Sequence, residues 1–273
     1  MGRLSAMSTF SVPHTAFVAV AAVAVALTAL AGCKDTTSAK GADPATAPAS
    51  TAPASTAPVA GAFEPEAALE EAQKTPYAAT MKATTEVAGR EAATMSGRAN
   101  LETVFTGRME VRTAGAPAMW VETVTTADGN YVRDRSKAGD GWIMVPRSAD
   151  NQASYAGYAK LLLATGPSAK KGMENQGGVP VYHLSGRLDI EQVASVDPRT
   201  HRSMKAKGVT GFDCDQWIDG QGRTVRFDQR MDMRGTAGAN KVLFSEFGPV
   251  EAFTPPTKGL PPPPAEADPP AEG

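Results

Sequence analysis

The sequence predicts an α+β domain built on a one-faced antiparallel sheet, with helices packed on the apolar face. Three observations carry this expectation. Period-two alternation recurs between Leu101 and Phe247, turn clusters rich in Gly and Asp separate several of the runs, and stretches of helical character interrupt them. Alternation dries only one side of a sheet, and that side must be covered by helices.

The domain is expected over residues 63–254. It opens on a helix signal, Pro65 in a first-turn position followed by Glu66, Ala67, Ala68, Leu69, Glu70 and Glu71, with acids near the positive end of the helix dipole. From Leu101 to Val111 the odd positions read Leu, Thr, Phe, Gly, Met, Val and the even ones are mostly polar, which predicts one strand with one dry face. Met119 to Thr126, Asn130 to Arg135 and Trp142 to Val145 extend this into a meander, with turns at 127–130 and 138–141. A helix is expected from Ser154 to Ala164, where Tyr155, Tyr158 and Leu162 share a stripe and Gly166-Pro167 ends the run.

A strand is expected from Val179 to Ser185, then helical character from Leu188 to Lys207, renewed at Asp197-Pro198 as N-cap and first turn. Strands resume over Phe212 to Asp219 and Arg223 to Met233, joined by a hairpin at Gly220-Gln221-Gly222, and a last strand lies near Lys241 to Phe247. In the second of these Val225, Phe227, Met231 and Met233 share one face, and Arg226, Asp228, Arg230 and Asp232 the other.

The flanks are of another kind. Arg3 precedes an unbroken apolar stretch from Ala16 to Leu30, shorter than the roughly 20 residues a membrane-spanning helix needs. Leu30-Ala31-Gly32-Cys33 follows and resembles the bacterial lipobox, an aliphatic residue, two small residues and a cysteine. That resemblance implies a signal peptide over residues 1–32, recognised by its peptidase at Leu30, Ala31 and Gly32. It also implies a covalent diacylglyceryl group, with or without an N-acyl chain, on Cys33. Two acyl chains suffice for a stable anchor, so the chain is expected on the extracytoplasmic face of a cell membrane, with no other cofactor.

Residues 33–62 read as a tether in which TAPAS occurs twice, from Thr46 to Ser50 and from Thr51 to Ser55. Such a segment cannot bury enough apolar surface to fold, and its Ser and Thr residues also permit an O-glycosylated stalk. Residues 255–273 form a Pro-rich tail; with the tether it holds 12 of the 21 prolines.

Several chemistries find no support. The chain has 27 cations against 29 anions and no basic stripe with stacking aromatics, which argues against nucleic acid as a partner. With Cys33 lipidated, Cys214 has no second cysteine to pair with and is expected as a buried, inert side chain beside Phe212 and Ile218. His14, His183 and His201 show no metal spacing, and no G-x-S-x-G elbow occurs, so neither a metal site nor catalytic residues are expected. Asp213, Asp215 and Asp219 are expected on an exposed strand face, and Arg199, Arg202, Lys205 and Lys207 on a solvated helix face that could also meet anionic head groups.

Finally, the segments Trp142-Ile143-Met144-Val145, Gly172-Met173-Glu174, 178–184, 217–223 and Phe244-Ser245-Glu246-Phe247-Gly248 resemble the LppX and LprG type of actinobacterial lipoprotein. That type is in turn similar to the LolA and LolB carriers. The resemblance implies a half-barrel sheet whose concave face, partly closed by helices, encloses an apolar cavity for a lipid or glycolipid. Trp142, Met173, Tyr155, Tyr158, Leu161 and Leu162 are the residues that either line such a cavity or fill an ordinary core. The other reading open at this point is a non-enzymatic sensing or interaction lipoprotein that uses the same fold against a protein partner.

Overall fold

The computed structural model describes residues 63–137, 141–147 and 154–256. The lipobox with Cys33, the tether and the tail beyond residue 256 lie outside them. The elements are α1 (Pro65–Lys74), β1 (Tyr77–Val87), β2 (Arg90–Leu101), β3 (Thr106–Thr113), β4 (Trp120–Thr125), β5 (Asn130–Asp134), β6 (Ile143–Val145), α2 (Tyr155–Ala164), β7 (Lys170–Gln176), β8 (Val179–Asp189), α3 (Ile190–Val193), α4 (Pro198–Ala206), β9 (Gly211–Ile218), β10 (Thr224–Asp232) and β11 (Ala237–Pro249). All strands join one open antiparallel sheet in the order β6-β5-β4-β3-β2-β1-β11-β10-β9-β8-β7. The chain lays down one half as a meander, crosses through α2, and lays down the other half from the far edge inward, so the first and last strands meet in the middle.

Register puts one set of side chains on the inner, helix-bearing face. Met81 is opposite Phe244, Ala83 opposite Val242, Phe227 opposite Val242, and Phe212 opposite Met231. Leu69 of α1, Tyr155, Tyr158 and Leu162 of α2, and Val193 of α3 close over this set to form the core. The small residues Ala79, Ala83 and Ala99 share the core with the aromatics of α2. Tyr155 meets Phe244 edge-on at 4.8 Å between ring centroids, and Tyr158 lies 5.0 Å from Phe227.

The helix ends follow their sequence signals. Pro65 starts α1, whose first turn holds Glu66 and last turn Lys74. Ser154 Oγ accepts the Gly157 amide at 2.9 Å to begin α2, and Asp197 accepts the Thr200 amide at 2.9 Å to begin α4. Gly157 is needed for its size: a Cβ there would stand 2.8 Å from Val196 Cγ1.

Two departures from the sequence reading have physical causes. The run Leu101 to Val111 is not one strand; it comprises the end of β2, a reversal at residues 102–105 and the start of β3. The pairing of Asn100 with Thr106 keeps parity through that reversal, so Leu101, Phe105 and Met109 are all buried although the chain has turned back. β7 is an edge strand with most of its residues exposed, so no alternation marks it.

Candidate functional site

The inner face opens at one end. There α4 and the following Val209 lie over the ends of β1, β10 and β11 and leave a cleft bordered by Met204, Met231, Met233 and Val209. On the sheet side of the cleft are three polar residues, Thr85, Asn240 and Gln229, each less than 8% exposed. Thr85 Oγ1 donates to Asn240 Oδ1 at 3.1 Å, and Asn240 Nδ2 donates to Gln229 Oε1 at 3.4 Å. Thr200, Ser203 and Lys207 border it from the α4 side, and Glu86 from the end of β1. The space enclosed is about 40 Å³, far below the roughly 300–1,000 Å³ of ordinary ligand pockets. The cleft as it stands admits water and not an acyl chain.

α4 is lightly held. Thr200 is its one buried side chain, and Met204 is partly buried against the core. His201 and Lys205 turn to Glu191 of α3, at 3.0 and 2.8 Å, so the two short helices form a unit. Elements with few buried apolar contacts open at low free-energy cost. Methionines on the cleft add to this, because an unbranched thioether side chain repacks easily.

The six residues read from sequence as cavity or core divide into three groups. Tyr155, Tyr158 and Leu162 are buried in the core beneath α2, and Leu161 packs partly buried against it. Burial pushes the phenols of Tyr155 and Tyr158 above their ordinary pKa, and nearby Asp197 adds to the rise. Trp142 lies under the Arg133 guanidinium, 4.7 Å from ring centroid, and is buried there away from α2. Met173 is 56% exposed on the edge strand β7. None of the six borders the cleft beneath α4. The sequence signal that does point there is the apolar row ending in Met231 and Met233.

The aspartates depart from expectation. Asp213 is exposed, but Asp215 and Asp219 are buried. Asp219 accepts the amides of Gln221 and Arg223, both at 2.9 Å, and pairs with the Arg223 guanidinium, which closes the β9–β10 turn. Asp215 belongs to a web on the outer face, where it meets Arg230 at 2.6 Å and His183 Nε2 at 3.0 Å. His183 Nδ1 meets Glu174 at 2.7 Å, and its ring stacks on Trp217 at 4.4 Å. Burial raises the Asp215 carboxyl, but hydrogen bonds from Ser185, His183 and Arg230 outweigh it and leave its pKa lowered. Glu174 is held low first by the Trp217 indole N–H. Every group in this web has a partner, which is the arrangement of a structural network.

Cys214 is buried, and burial pushes its thiol pKa well up, so it is an unreactive part of the core. Among the described residues no group of three or more His, Cys, Asp and Glu side chains is placed to hold a metal ion. No described helix is long and apolar enough to cross a membrane.

No family model matches the chain. A protein of Streptomyces griseus, described as an uncharacterized 31.2 kDa protein in the rplA-rplJ intergenic region, is 29% identical over 97 residues. The match spans 33% of this chain and 32% of that protein, about a third of the relative's length. Among solved structures, LprF from Mycobacterium bovis aligns at a TM-score of 0.43 with 16% identity over 72% of this chain and 99% of that one. The lipoprotein LppX from Mycobacterium tuberculosis aligns at 0.37 with 16% identity over 68% of this chain and 98% of that one. A LolA superfamily protein from Nitrosomonas europaea aligns at 0.25 with 10% identity, covering 70% and 95%. Likenesses at these scores bear on neither ligand nor activity.

Proposed function

We propose that this chain is a membrane-anchored extracytoplasmic lipoprotein without enzymatic activity, which binds a lipid or other hydrophobic ligand in the cell envelope. The ligand enters between α4 and the inner face of the sheet. The observation that supports this reading is the cleft, where the apolar face continues past the packed core and meets a lightly held helix through Met204, Met231 and Met233. A closed cleft of this kind binds by displacement of its cover, so the empty and loaded forms differ in the position of α4. The lipobox at Leu30 to Cys33 supports the anchor.

Native mass spectrometry of the protein recovered from membranes tests the proposal. A bound lipid mass that survives detergent removal, and that is lost in Met231→Trp while the variant keeps its fold, agrees with it. Recovery free of lipid, with none acquired from vesicles, argues for the protein-binding reading instead.

A further inference from the structure

The large apolar side chains left exposed are unevenly placed. Antiparallel register brings the starts of β1, β3, β5, β8 and β10, and the ends of the other strands, to one end of the sheet. Of the six large apolar side chains exposed among the described residues, Val104, Met173, Val179 and Val250 lie at or near this end. Met119, just before β4, lies at the opposite end, and Leu243 lies on the outer face. Single exposed apolar side chains are ordinary on a protein surface, whereas a set gathered along one rim marks a contact.

The backbone holds these residues out in fixed positions. Val104 is in the reversal between β2 and β3, and Val250 follows β11. Asn100, buried at the end of β2, ties the two segments together: its Nδ2 donates to Thr106 Oγ1 and to the Glu251 carbonyl, both at 2.8 Å, and its Oδ1 accepts the Glu251 amide at 2.9 Å. Val179 opens β8 directly after Gly177 and Gly178, both at positive φ, and Met173 stands across from Tyr182 on the same hairpin. A side chain already fixed in place gives up little freedom when it makes a contact.

The chain enters the domain at this same end. The Phe63 ring lies 5.3 Å from that of Tyr182, and Glu66 pairs with Lys170 at 2.7 Å. α1 then crosses the β9–β10 turn so closely that a Cβ on Gly222 would stand 2.2 Å from the Ala68 carbonyl oxygen, and it leads to the start of β1. Met173 and Val179 are thus beside the start of α1, and Val104 and Val250 beside its end. A coil as long as residues 34–62 spans about 30 Å, so an anchor at Cys33 tethers this end of the sheet. The cleft beneath α4, bordered by Thr85, Met233 and Gly238, is at the other end of the same strands.

We infer that this rim is a membrane-contacting surface, with Val104, Val250, Met173 and Val179 entering the interfacial layer of the bilayer that carries the anchor. This rests on the anchored reading above and adds which surface of the domain faces the lipid. Apolar side chains presented at separate points fit a fluid layer of head groups and first methylenes, whereas a folded partner needs a continuous matching surface. The contact is weak by itself, and the tether makes it intramolecular, at an effective concentration where a weak contact is populated. Seated in this way, the domain turns the cleft beneath α4 away from its own bilayer.

The test uses the full lipidated chain in vesicles of phosphatidylethanolamine and phosphatidylglycerol. An environment-sensitive fluorophore is attached at Val104→Cys, Val179→Cys or Val250→Cys, and, at the opposite end, at Glu86→Cys or Met119→Cys; Cys214 is buried and takes no label. A nitroxide on the upper acyl chain of the lipid quenches a probe that reaches the bilayer. Quenching at the three valine positions should be at least about threefold stronger than at Glu86 and Met119. Replacing both Val104→Asp and Val250→Asp leaves the fold intact, because both side chains are exposed, and should bring quenching at Val179 down to the level at Glu86. Equal quenching at all positions, stronger quenching at Glu86 and Met119, or quenching at Val179 that ignores the two aspartates overturns the inference. Unquenched probes on a chain that floats with the vesicles overturn it too and leave the anchored reading standing. Blue-shifted emission without quenching, rising with the number of chains per vesicle, would assign the rim to a second copy and likewise overturn it. A chain that does not float with the vesicles overturns the anchored reading and this inference with it.

Discussion

Glu102 Oε1 accepts the backbone amide of Ala156 at 2.9 Å, so a carboxylate at the end of β2 receives the first turn of α2. Its other oxygen accepts the Ser154 hydroxyl at 2.9 Å, and Ser154 in turn caps Gly157. The sheet thus supplies part of the cap of the helix that covers it. Glu102 takes a positive φ of 54° to do so, at the reversal between β2 and β3.

Removing this carboxylate should cost stability in a particular way. Glu102→Ala should lose about 1–2 kcal/mol in urea unfolding, as for other lost caps. Burial raises the Glu102 pKa despite its hydrogen bonds, so the folded state favours the protonated form. For a raised carboxyl, stability falls as pH rises from the ordinary glutamate value toward the folded one. Glu102→Gln should therefore compare better with the wild type at pH 7 than at pH 4. A Gln variant that compares worse at pH 7 than at pH 4 would show that the carboxylate is stabilised there.

The outer-face web titrates with the opposite sign. The Asp215 and Glu174 pKa values are lowered in the folded state, so their contribution is full above the ordinary carboxylate range. It is lost as pH falls below about 4. Asp215→Asn should destabilise by about 1–3 kcal/mol at pH 7, and that difference should shrink on titration to pH 3. A difference that holds constant from pH 7 to pH 3 would remove the web from the account of acid stability.

Leu162 and Met173, alike in the sequence reading, should separate in stability. Leu162 is fully buried, and Leu162→Ala should cost about 2–5 kcal/mol. Met173 is 56% exposed, and Met173→Ala should fall within about 0.5 kcal/mol of wild type. Chemical denaturation of the two variants side by side decides this.

Much of this was legible in the sequence, and the misses have physical causes. Ser154, Asp197 and Pro198 announced their helix ends because capping is local chemistry. β9, β10 and β11 announced themselves because Phe212, Ile218, Phe227 and Phe244 alternate with polar residues. β1 stayed hidden because its inner row is Tyr77, Ala79, Met81, Ala83 and Thr85, and alanine marks a face poorly. The burial of Asp215 could not be read from β9, since its partners Arg230 and His183 arrive from β10 and β8. The cleft was hidden for the same reason: Thr85, Gln229 and Asn240 come together only through the pairing of β1, β11 and β10.

Anchoring is a separate proposal with its own test. Cys33→Ala should abolish incorporation of labelled fatty acid and leave the protein unprocessed or released from the membrane. Equal labelling of the variant would place any acyl group elsewhere and set the lipobox reading aside.

The central claim is that a ligand lies between α4 and the inner face of the sheet, and hydrogen exchange of the protein with and without lipid vesicles tests it most directly. Bound lipid should slow exchange of the amides from Thr200 to Val209 and of the β10–β11 turn, because a ligand that lifts and then braces the cover stabilises those elements in the bound state. The amides of β3 to β5 should be unchanged. Protection confined to the outer face, or no change anywhere while lipid is demonstrably bound, would contradict the account.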